Sequence, residues 1–269
     1  MAKILDGKKI RDEILAGLKE SLAARGTKPT LAVILAGDDP VSAAYVGLKQ
    51  KIAEKIGVGF ELYRYSQNAS ENEILTKIRS LNNNLGINGI MVQIPLPSGF
   101  DRDKLIEAIS PDKDIDGLRY CVGLSSDFFP PVVLAVARAL ELSGTNPARS
   151  DVVIIGRGFL VGDPLCRYFE GKIKKLVVAD SSTPDLTSII RQANVVISAV
   201  GRAGIITAEM VKESVVLIDA GTSEAGGEIR GDIDPKAHAK ASFYTPVPGG
   251  IGPVTVAMLI QNLVSTVLT

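Results

Sequence analysis

Short apolar runs rich in β-branched residues alternate with longer helical stretches along most of this chain. Strands without polar residues must be buried on both faces, which is typical of a parallel sheet covered by helices. The pattern therefore predicts an α/β fold. The predicted strands are Leu31–Ala36, Phe60–Tyr65, Gly89–Ile94, Val152–Ile155, Leu176–Ala179, Val195–Val200 and Val215–Asp219. The predicted helices are Gly7–Ala24, Val41–Ile56, Glu71–Asn83, Arg102–Ile109, Val132–Leu142, Val161–Phe169, Asp185–Gln192, Thr207–Glu213 and a final helix at 252–268.

The alternating units fall into two sets, which indicates two domains with parallel sheets. A length of 269 residues is enough for two modest domains. We expect a first domain at residues 1–117, completed by the C-terminal helix at 252–269, and a second at 118–251. The final helix would pack back on the first domain and leave a cleft between the two.

The composition argues against several classes of protein. Thirty Lys and Arg residues balance 30 Asp and Glu residues, so neither nucleic acid nor an anionic membrane is the expected partner. The N-terminus lacks a signal-like apolar region, and no apolar run reaches the roughly 18 residues of a membrane span. With only His238, Cys121 and Cys166, neither a metal site, a disulfide framework nor a Ser-His-Asp triad is expected. We expect a cytoplasmic globular protein that uses Lys, Tyr, Asp, Gln, backbone groups and a cofactor.

A glycine motif lies in the second half of the chain. The apolar strand Val152–Ile155 is followed by Gly156, Gly158 and Gly162, and then by a helix. In a dinucleotide-binding turn, the first glycine permits the tight turn, the second admits the pyrophosphate and the third allows close helix packing. The strand-turn-helix context is the one that this motif requires. The alternative is a glycine-rich turn without a ligand.

Two residues give opposing indications about the dinucleotide. The next strand ends on Asp180, where a carboxylate would bond the adenosine ribose and repel a 2′-phosphate, which favours NAD. Arg157, inside the glycine turn, could instead pair with that phosphate and favour NADP. The end of a later strand, at Ala199–Arg202, is a third candidate contact with the cofactor.

The first half contains a candidate catalytic patch without histidine. Tyr45 and Lys49 are four residues apart on one helix and share a face. A partly buried lysine has a lowered pKa and can transfer protons, while the tyrosine can bond its amine or stack on a flat substrate. Such a pair can also be purely structural. Gln93 ends an apolar strand just before Pro95, at the edge where parallel sheets bind ligands. Its amide could bond a ligand or the loop backbone.

Two loops complete the candidate site. In Pro111–Gly117, three acids most simply form a solvated turn or a helix cap, but Asp116 is the best placed to point inward. Its carboxylate could pair bidentately with a guanidine-like edge such as that of a pterin. The second loop, Thr245–Pro253, contains three prolines and three glycines before the final helix. A stiff, bare loop there suits a flat ligand or an anion, or is simply a tight connection.

Taken together, these motifs resemble the bifunctional methylenetetrahydrofolate dehydrogenase/methenyltetrahydrofolate cyclohydrolase family. The resemblance covers nearly the whole chain. It is carried by ILDGKKI at 4–10, LAVILAGDDPVSAAYVGLK at 31–49, GIMVQIPLP at 89–97, PDKDIDG at 111–117, IIGRGFLVGDP at 154–164, VVLIDAGT at 215–222, GDIDP at 231–235 and TPVPGGIGPVTVAML at 245–259.

The resemblance implies a function and a set of residues. Methylenetetrahydrofolate would be oxidised to the methenyl form with NADP or NAD and then hydrolysed to formyltetrahydrofolate, for one-carbon metabolism and purine synthesis. A homodimer is implied. The implied catalytic residues are Lys49, Tyr45, Gln93 and Asp116. The implied substrate contacts add Pro95, Leu96, Pro248, Gly249 and Gly250. The candidate cofactor contacts are Gly156, Arg157, Gly158, Gly162, Asp180, Ser181, Gly201 and Thr222.

The chain also departs from the family pattern in its second half. Gly158 replaces the usual serine, Ala179–Thr183 lacks the usual basic residue, and Pro130–Ala135 replaces a PCTP-x-G motif. NADP is the family default, whereas Asp180 and Ser182 make NAD an option.

Three alternative functions follow from these observations. The altered cofactor region is compatible with a cyclohydrolase whose dehydrogenase activity is weak or lost, or with a dinucleotide-sensing protein. Tyr45-x-x-x-Lys49 also matches a short-chain dehydrogenase pair. In that class, however, the pair follows the glycine loop in sequence instead of preceding it.

Overall fold

The structure is a computed structural model that describes residues 2–225 and 228–268. It confirms the predicted α/β class with parallel sheets. The chain divides into two compact units. The six-stranded unit contains Met1–Arg11 and Val132–Thr255, and the three-stranded unit contains Asp12–Pro131 and Val256–Thr269.

Within the described residues, the helices and strands have the following bounds. The helices are α1 (Gly7–Arg25), α2 (Pro40–Ile56), α3 (Glu71–Asn82), α4 (Arg102–Glu107), α5 (Leu118–Cys121), α6 (Pro131–Leu142), α7 (Gly162–Phe169), α8 (Leu186–Gln192) and α9 (Ile251–Ser265). The strands are β1 (Lys3–Ile4), β2 (Thr30–Ala36), β3 (Gly59–Tyr65), β4 (Gly89–Val92), β5 (Asp151–Ile155), β6 (Lys175–Ala179), β7 (Val195–Ser198), β8 (Val215–Asp219), β9 (Ser223–Ala225), β10 (Glu228–Arg230) and β11 (Ala241–Tyr244).

The three-stranded unit is built on a parallel sheet with the order β3-β2-β4. Its central strand β2 is buried from Leu31 to Ala36, because helices cover both faces of the sheet. One core cluster joins Leu31 and Val33 of β2 to Val46 of α2 and to Ile260 and Leu263 of α9. The last helix therefore contributes to the core of this unit.

The six-stranded unit has the strand order β1-β11-β8-β7-β5-β6, and every pairing is parallel. Strands β7 and β8 are buried along their whole length. Strands β9 and β10 form a separate antiparallel pair. Because β5 to β8 run in the same direction, the loops that follow them leave from one edge of the sheet.

All seven predicted strands are present, but two end earlier than predicted. Strand β4 stops at Val92 because Pro95 lacks the N–H that would continue a ladder. Strand β7 stops at Ser198 because the N–H groups of Val200 and Gly201 donate to the side chain of Asp232. The short elements β1, β9, β10, β11 and α5 were not predicted from the sequence.

The predicted helix Thr207–Glu213 is wrong. Only Ala208–Met210 is helical, as one 3-10 turn. Val211 is extended, with φ −107° and ψ 149°, and its buried side chain packs in the core of the six-stranded unit. So short a helix is marginal, and burial of this β-branched side chain stabilises the extended backbone instead.

Candidate active site

Lys49 is held on a helix whose start is fixed by its sequence. The Asp39 side chain accepts a hydrogen bond from Ser42 N at 2.8 Å, and Pro40 occupies the first turn. Burial of Val46 and Ile52 presses one face of α2 onto the sheet, which leaves Lys49 half-buried beside it. Lys49 Nζ donates to Gln93 Oε1 at 3.1 Å and lies 3.3 Å from the sulfur of Met91.

Gln93 is oriented by its own backbone neighbours. Its N–H donates to the carbonyl of Ile34 at 2.9 Å, which extends the β2–β4 ladder by one bond. Its side-chain Nε2 donates to the carbonyl of Ile94 at 2.6 Å, so Oε1 faces Lys49. The bond to the loop backbone is therefore present, and the other end of the amide bonds Lys49.

Burial and mutual charge shift the pKa values of Lys49 and Asp116. Burial lowers the pKa of Lys49, and the negative charge of Asp116 opposes this by raising it. Burial also raises the pKa of Asp116, and the positive charge of Lys49 opposes that shift. A lowered pKa leaves a larger neutral fraction of the amine at neutral pH than an exposed lysine has.

The loop that presents Asp116 is anchored from both sides. Asp114 is fully buried and accepts hydrogen bonds from the N–H groups of Leu118 and Arg119, at 3.0 and 2.8 Å. The carbonyl of Ile115 accepts a hydrogen bond from Asn262 Nδ2 of α9 at 2.9 Å. Asp116 itself is only partly buried. Asp114, whose side chain caps the short helix α5, is thus more deeply buried than the candidate site residue Asp116.

Tyr45 lies one turn before Lys49 on α2. Its side chain is 47% exposed, and Leu48 on the same helix is 43% exposed. Pro95 and Leu96 lie in the same loop as Gln93, two and three residues after it. Tyr45 therefore presents an aromatic ring to solvent, one helical turn before Lys49, as a stacking role would require.

The candidate cofactor residues converge at one edge of the six-stranded sheet. They follow the carboxyl ends of four adjacent parallel strands: Gly156 follows β5, Asp180 follows β6, Gly201 follows β7, and Thr222 follows β8. A Cβ built at Gly201 would lie 3.4 Å from the carbonyl oxygen of Thr222. This edge is where open α/β sheets bind ligands.

The glycines of the β5–α7 turn differ in how much space each leaves for a side chain. Gly156 has φ +101°, and a Cβ there would lie 2.5 Å from the carbonyl oxygen of Ala199. A Cβ at Gly162 would overlap the carbonyl oxygen of Gly156. At Gly158 the nearest atom would be Ala199 O at 4.0 Å, so the backbone is uncovered there. The turn thus has the close packing and the open middle position that fit a dinucleotide pyrophosphate at the N-terminus of α7.

Arg157 and Asp180, which give opposing indications in the sequence, form an ion pair with each other. Arg157 Nε lies 3.9 Å from Asp180 Oδ2. The N–H and hydroxyl of Ser182 donate to Asp180 Oδ1 at 2.9 and 2.6 Å, while Ser181 is exposed. Hydrogen bonds from Ser182 are the main cause of the lowered pKa of Asp180, and Arg157 adds a smaller effect. The carboxylate is therefore ionised at neutral pH.

Two buried acids near this edge were not singled out from the sequence. Asp219 ends β8, and Asp232 follows the β9–β10 pair; both side chains are buried. Burial, together with the charge of Asp232, raises the pKa of Asp219 to about 7. An acid at the end of the apolar run VVLID and another in GDIDP are signals that could have found them, because buried acids need dedicated partners.

The proline- and glycine-rich loop Thr245–Pro253 belongs to the six-stranded unit, and so do the candidate substrate residues Pro248, Gly249 and Gly250. The hydroxyl of its first residue, Thr245 Oγ1, accepts a hydrogen bond from Asp219 N at 2.8 Å. The N–H of Gly7 donates to the carbonyl of Gly249 at 2.9 Å. The loop is therefore fixed at the start of α1 and at the end of β8.

Within residues 2–225 and 228–268, no group of three His, Cys, Asp or Glu side chains is arranged to hold a metal ion. None of the helices in this part of the chain is long and apolar enough to cross a membrane.

Comparison with known proteins gives one consistent family. Residues 5–116 match the tetrahydrofolate dehydrogenase/cyclohydrolase catalytic domain, and residues 130–269 match the NAD(P)-binding domain of the same family. The chain is 38% identical to the bifunctional protein FolD of Staphylococcus aureus strain MRSA252, over 97% of this chain and 95% of that protein.

Solved structures agree with this match. The bifunctional FolD enzyme of Campylobacter jejuni has a TM-score of 0.93 and 36% identity, over 99% of this chain and 98% of that one. The Trypanosoma brucei enzyme, complexed with NADP cofactor and inhibitor, has a TM-score of 0.91 and 30% identity, over 98% and 97%.

Proposed function

Because this chain belongs to the tetrahydrofolate dehydrogenase/cyclohydrolase family, we propose that its Lys49 site and its glycine turn carry the two activities of that family. The protein is a bifunctional enzyme of one-carbon metabolism. It oxidises methylenetetrahydrofolate to methenyltetrahydrofolate with a nicotinamide dinucleotide and hydrolyses the product to formyltetrahydrofolate.

The observation that carries this proposal is the hydrogen bond from Lys49 Nζ to Gln93 Oε1, with Asp116 near enough to act on the lysine charge. Hydrolysis of a methenyl cation requires a water to lose a proton and a ring nitrogen to gain one. Lys49 can accept and return protons because burial lowers its pKa, and Gln93 orients the amine. Asp116 would bind the guanidine-like edge of the pterin, and Tyr45 would stack on the folate.

The glycine turn would hold the dinucleotide, with its pyrophosphate at the N-terminus of α7. When bound, the nicotinamide ring accepts a hydride from the methylene carbon of the substrate. We propose a preference for NAD, because the ionised Asp180 would bond ribose hydroxyls and repel a 2′-phosphate. Arg157, the cation that could offset this repulsion, is paired with Asp180 itself. A cytoplasmic homodimer stays a prediction. Sedimentation of the purified protein would test whether it forms a dimer.

The decisive experiment measures reduced nicotinamide formation from methylenetetrahydrofolate with NAD and NADP in parallel. A companion sample follows hydrolysis of methenyltetrahydrofolate. We expect turnover in both, with the higher kcat/KM for NAD. Hydrolysis without any reduction of either dinucleotide would leave a cyclohydrolase alone, the second candidate that Gly158 and Asp180 motivate. Tight dinucleotide binding without turnover of any folate would indicate a sensing protein.

A further inference from the structure

A single buried carboxylate accepts hydrogen bonds from three consecutive backbone N–H groups of the loop that follows β7. Asp232 Oδ2 accepts hydrogen bonds from Val200 N at 2.8 Å and Gly201 N at 3.2 Å. Asp232 Oδ1 accepts a hydrogen bond from Arg202 N at 2.7 Å. We call residues 199–202 the β7 loop. Its backbone direction is set by one side chain that lies far away in sequence.

The carboxylate that holds the β7 loop is itself fixed. Asp232 is fully buried, and its Oδ2 also accepts a hydrogen bond from the Ser198 hydroxyl at 2.7 Å. On another side, its carboxylate fills the space where Gly221 lacks a side chain, and a Cβ at Gly221 would overlap it. Asp219 mirrors this arrangement against Gly231, where a Cβ would overlap the Asp219 carboxylate. Each carboxylate therefore packs directly against the backbone of a glycine.

The β7 loop touches the turn that would hold the pyrophosphate. A Cβ built at Gly156 would lie 2.5 Å from Ala199 O and 3.3 Å from Val200 N. The β7 loop and the β5–α7 turn thus pack backbone to backbone, without an intervening side chain. A shift of the loop by a fraction of an ångström must move the glycine turn or open a gap beside it.

We propose that Asp232 is a positioning residue that keeps the β7 loop, and through it the glycine turn, in the conformation that binds the dinucleotide. This inference rests on the dinucleotide site proposed above. Because the three N–H groups point at Asp232, the loop has one backbone orientation before any ligand arrives. A preformed site avoids the entropy cost of ordering the loop upon binding, which strengthens affinity.

The test compares two variants in the full-length protein. Asp232→Asn keeps the shape but places its one NH₂ group, a donor, against at least one backbone N–H, so the loop must move. Ser198→Ala is the matched control, because it removes one hydrogen bond to the same carboxylate and leaves the three backbone bonds intact. For each protein we would measure the affinity for NAD and NADP by calorimetry, the dehydrogenase kcat and KM, the cyclohydrolase rate and the melting temperature.

For Asp232→Asn we expect affinity for the preferred dinucleotide to fall about tenfold or more, with a matching rise in its KM. For Ser198→Ala we expect affinity within about threefold of wild type, even though the melting temperature falls. The cyclohydrolase rate, measured without dinucleotide, should be retained by both variants. If Asp232→Asn lowers the melting temperature but leaves dinucleotide affinity unchanged, Asp232 is merely structural and the inference is wrong. If wild type itself binds neither dinucleotide, the proposed dinucleotide site fails instead.

Hydrogen exchange on the wild-type protein tests the inference even if Asp232→Asn does not fold. The amides of Val200, Gly201 and Arg202 should exchange slowly in the ligand-free protein, because each donates to a buried carboxylate. Fast exchange that slows only after dinucleotide is added would show that the ligand, and not Asp232, orders the loop. That result would overturn the inference.

Discussion

The two candidate sites are built in opposite ways. In the three-stranded unit, the candidate groups are side chains: Lys49 lies on α2, Gln93 follows β4, and Asp116 lies in the loop before α5. In the six-stranded unit, the backbone supplies the site: glycines open the turn, and the buried Asp232 fixes the neighbouring loop. The first site should therefore respond to changes of functional group, and the second to changes of shape.

The largest effect that would test this contrast is expected for Lys49→Ala. Loss of a proton-transfer group should lower the cyclohydrolase kcat by about 10²- to 10⁴-fold. Dinucleotide affinity should stay near the wild-type value, because the glycine turn is unaffected. The matched control is Lys51→Ala, an exposed lysine of the same helix. Wild-type hydrolysis by Lys49→Ala would remove Lys49 from the mechanism.

The shape dependence of the second site is tested by alanine at two glycines of one turn. Gly162→Ala forces a Cβ onto the carbonyl of Gly156 and should weaken dinucleotide binding by about 10²-fold. Gly158→Ala meets its nearest atom only at 4.0 Å and should weaken binding far less. Calorimetry with NAD and NADP measures both variants, and cyclohydrolase activity reports whether each protein is folded. Equal effects of the two substitutions would contradict the close packing described for Gly162.

Asp116→Asn tests the charge coupling within the first site. The negative charge of Asp116 raises the pKa of Lys49, against the larger lowering by burial. Removing that charge must lower the pKa of Lys49 further, so the limb of the cyclohydrolase kcat-pH profile that belongs to Lys49 should move to lower pH. A tenfold change in kcat at the old limb corresponds to a shift of about one pH unit. Asp112→Asn, an exposed acid of the same loop, is the control and should leave the profile in place. A limb that moves to higher pH would refute the coupling.

The smallest effect is expected for Asp180→Ala, because the side chains of Asp180 and Arg157 are both partly exposed and solvent screens such pairs. The substitution removes repulsion of a 2′-phosphate and releases Arg157, so kcat/KM for NADP relative to NAD should rise about three- to tenfold. In the double variant Arg157→Ala with Asp180→Ala, most of that gain should disappear. A ratio that stays unchanged in Asp180→Ala would mean that this carboxylate does not face the ribose.

Local apolar patterns were sufficient for β2 to β8, but not for β1, β9, β10 and β11. The four-residue spacing of Tyr45 and Lys49 places both on one helical face, whereas β4 was predicted to reach Ile94 and stops at Val92. The side-chain hydrogen bonds of Asp232, by contrast, join it to residues 30 or more positions earlier in the chain. No local pattern encodes such a contact.

The sequence by itself determined the α/β class, the two parallel sheets and the glycine turn, because apolar periodicity and glycine spacing act over a few residues. Only the tertiary structure decided that Arg157 pairs with Asp180, that Asp114 lies deeper than Asp116, and that β7 ends early at Ser198. Each of these depends on which groups the fold brings within bonding distance of a charge or a backbone N–H. Burial then stabilises that pairing, since a buried polar group left without its partner destabilises the fold.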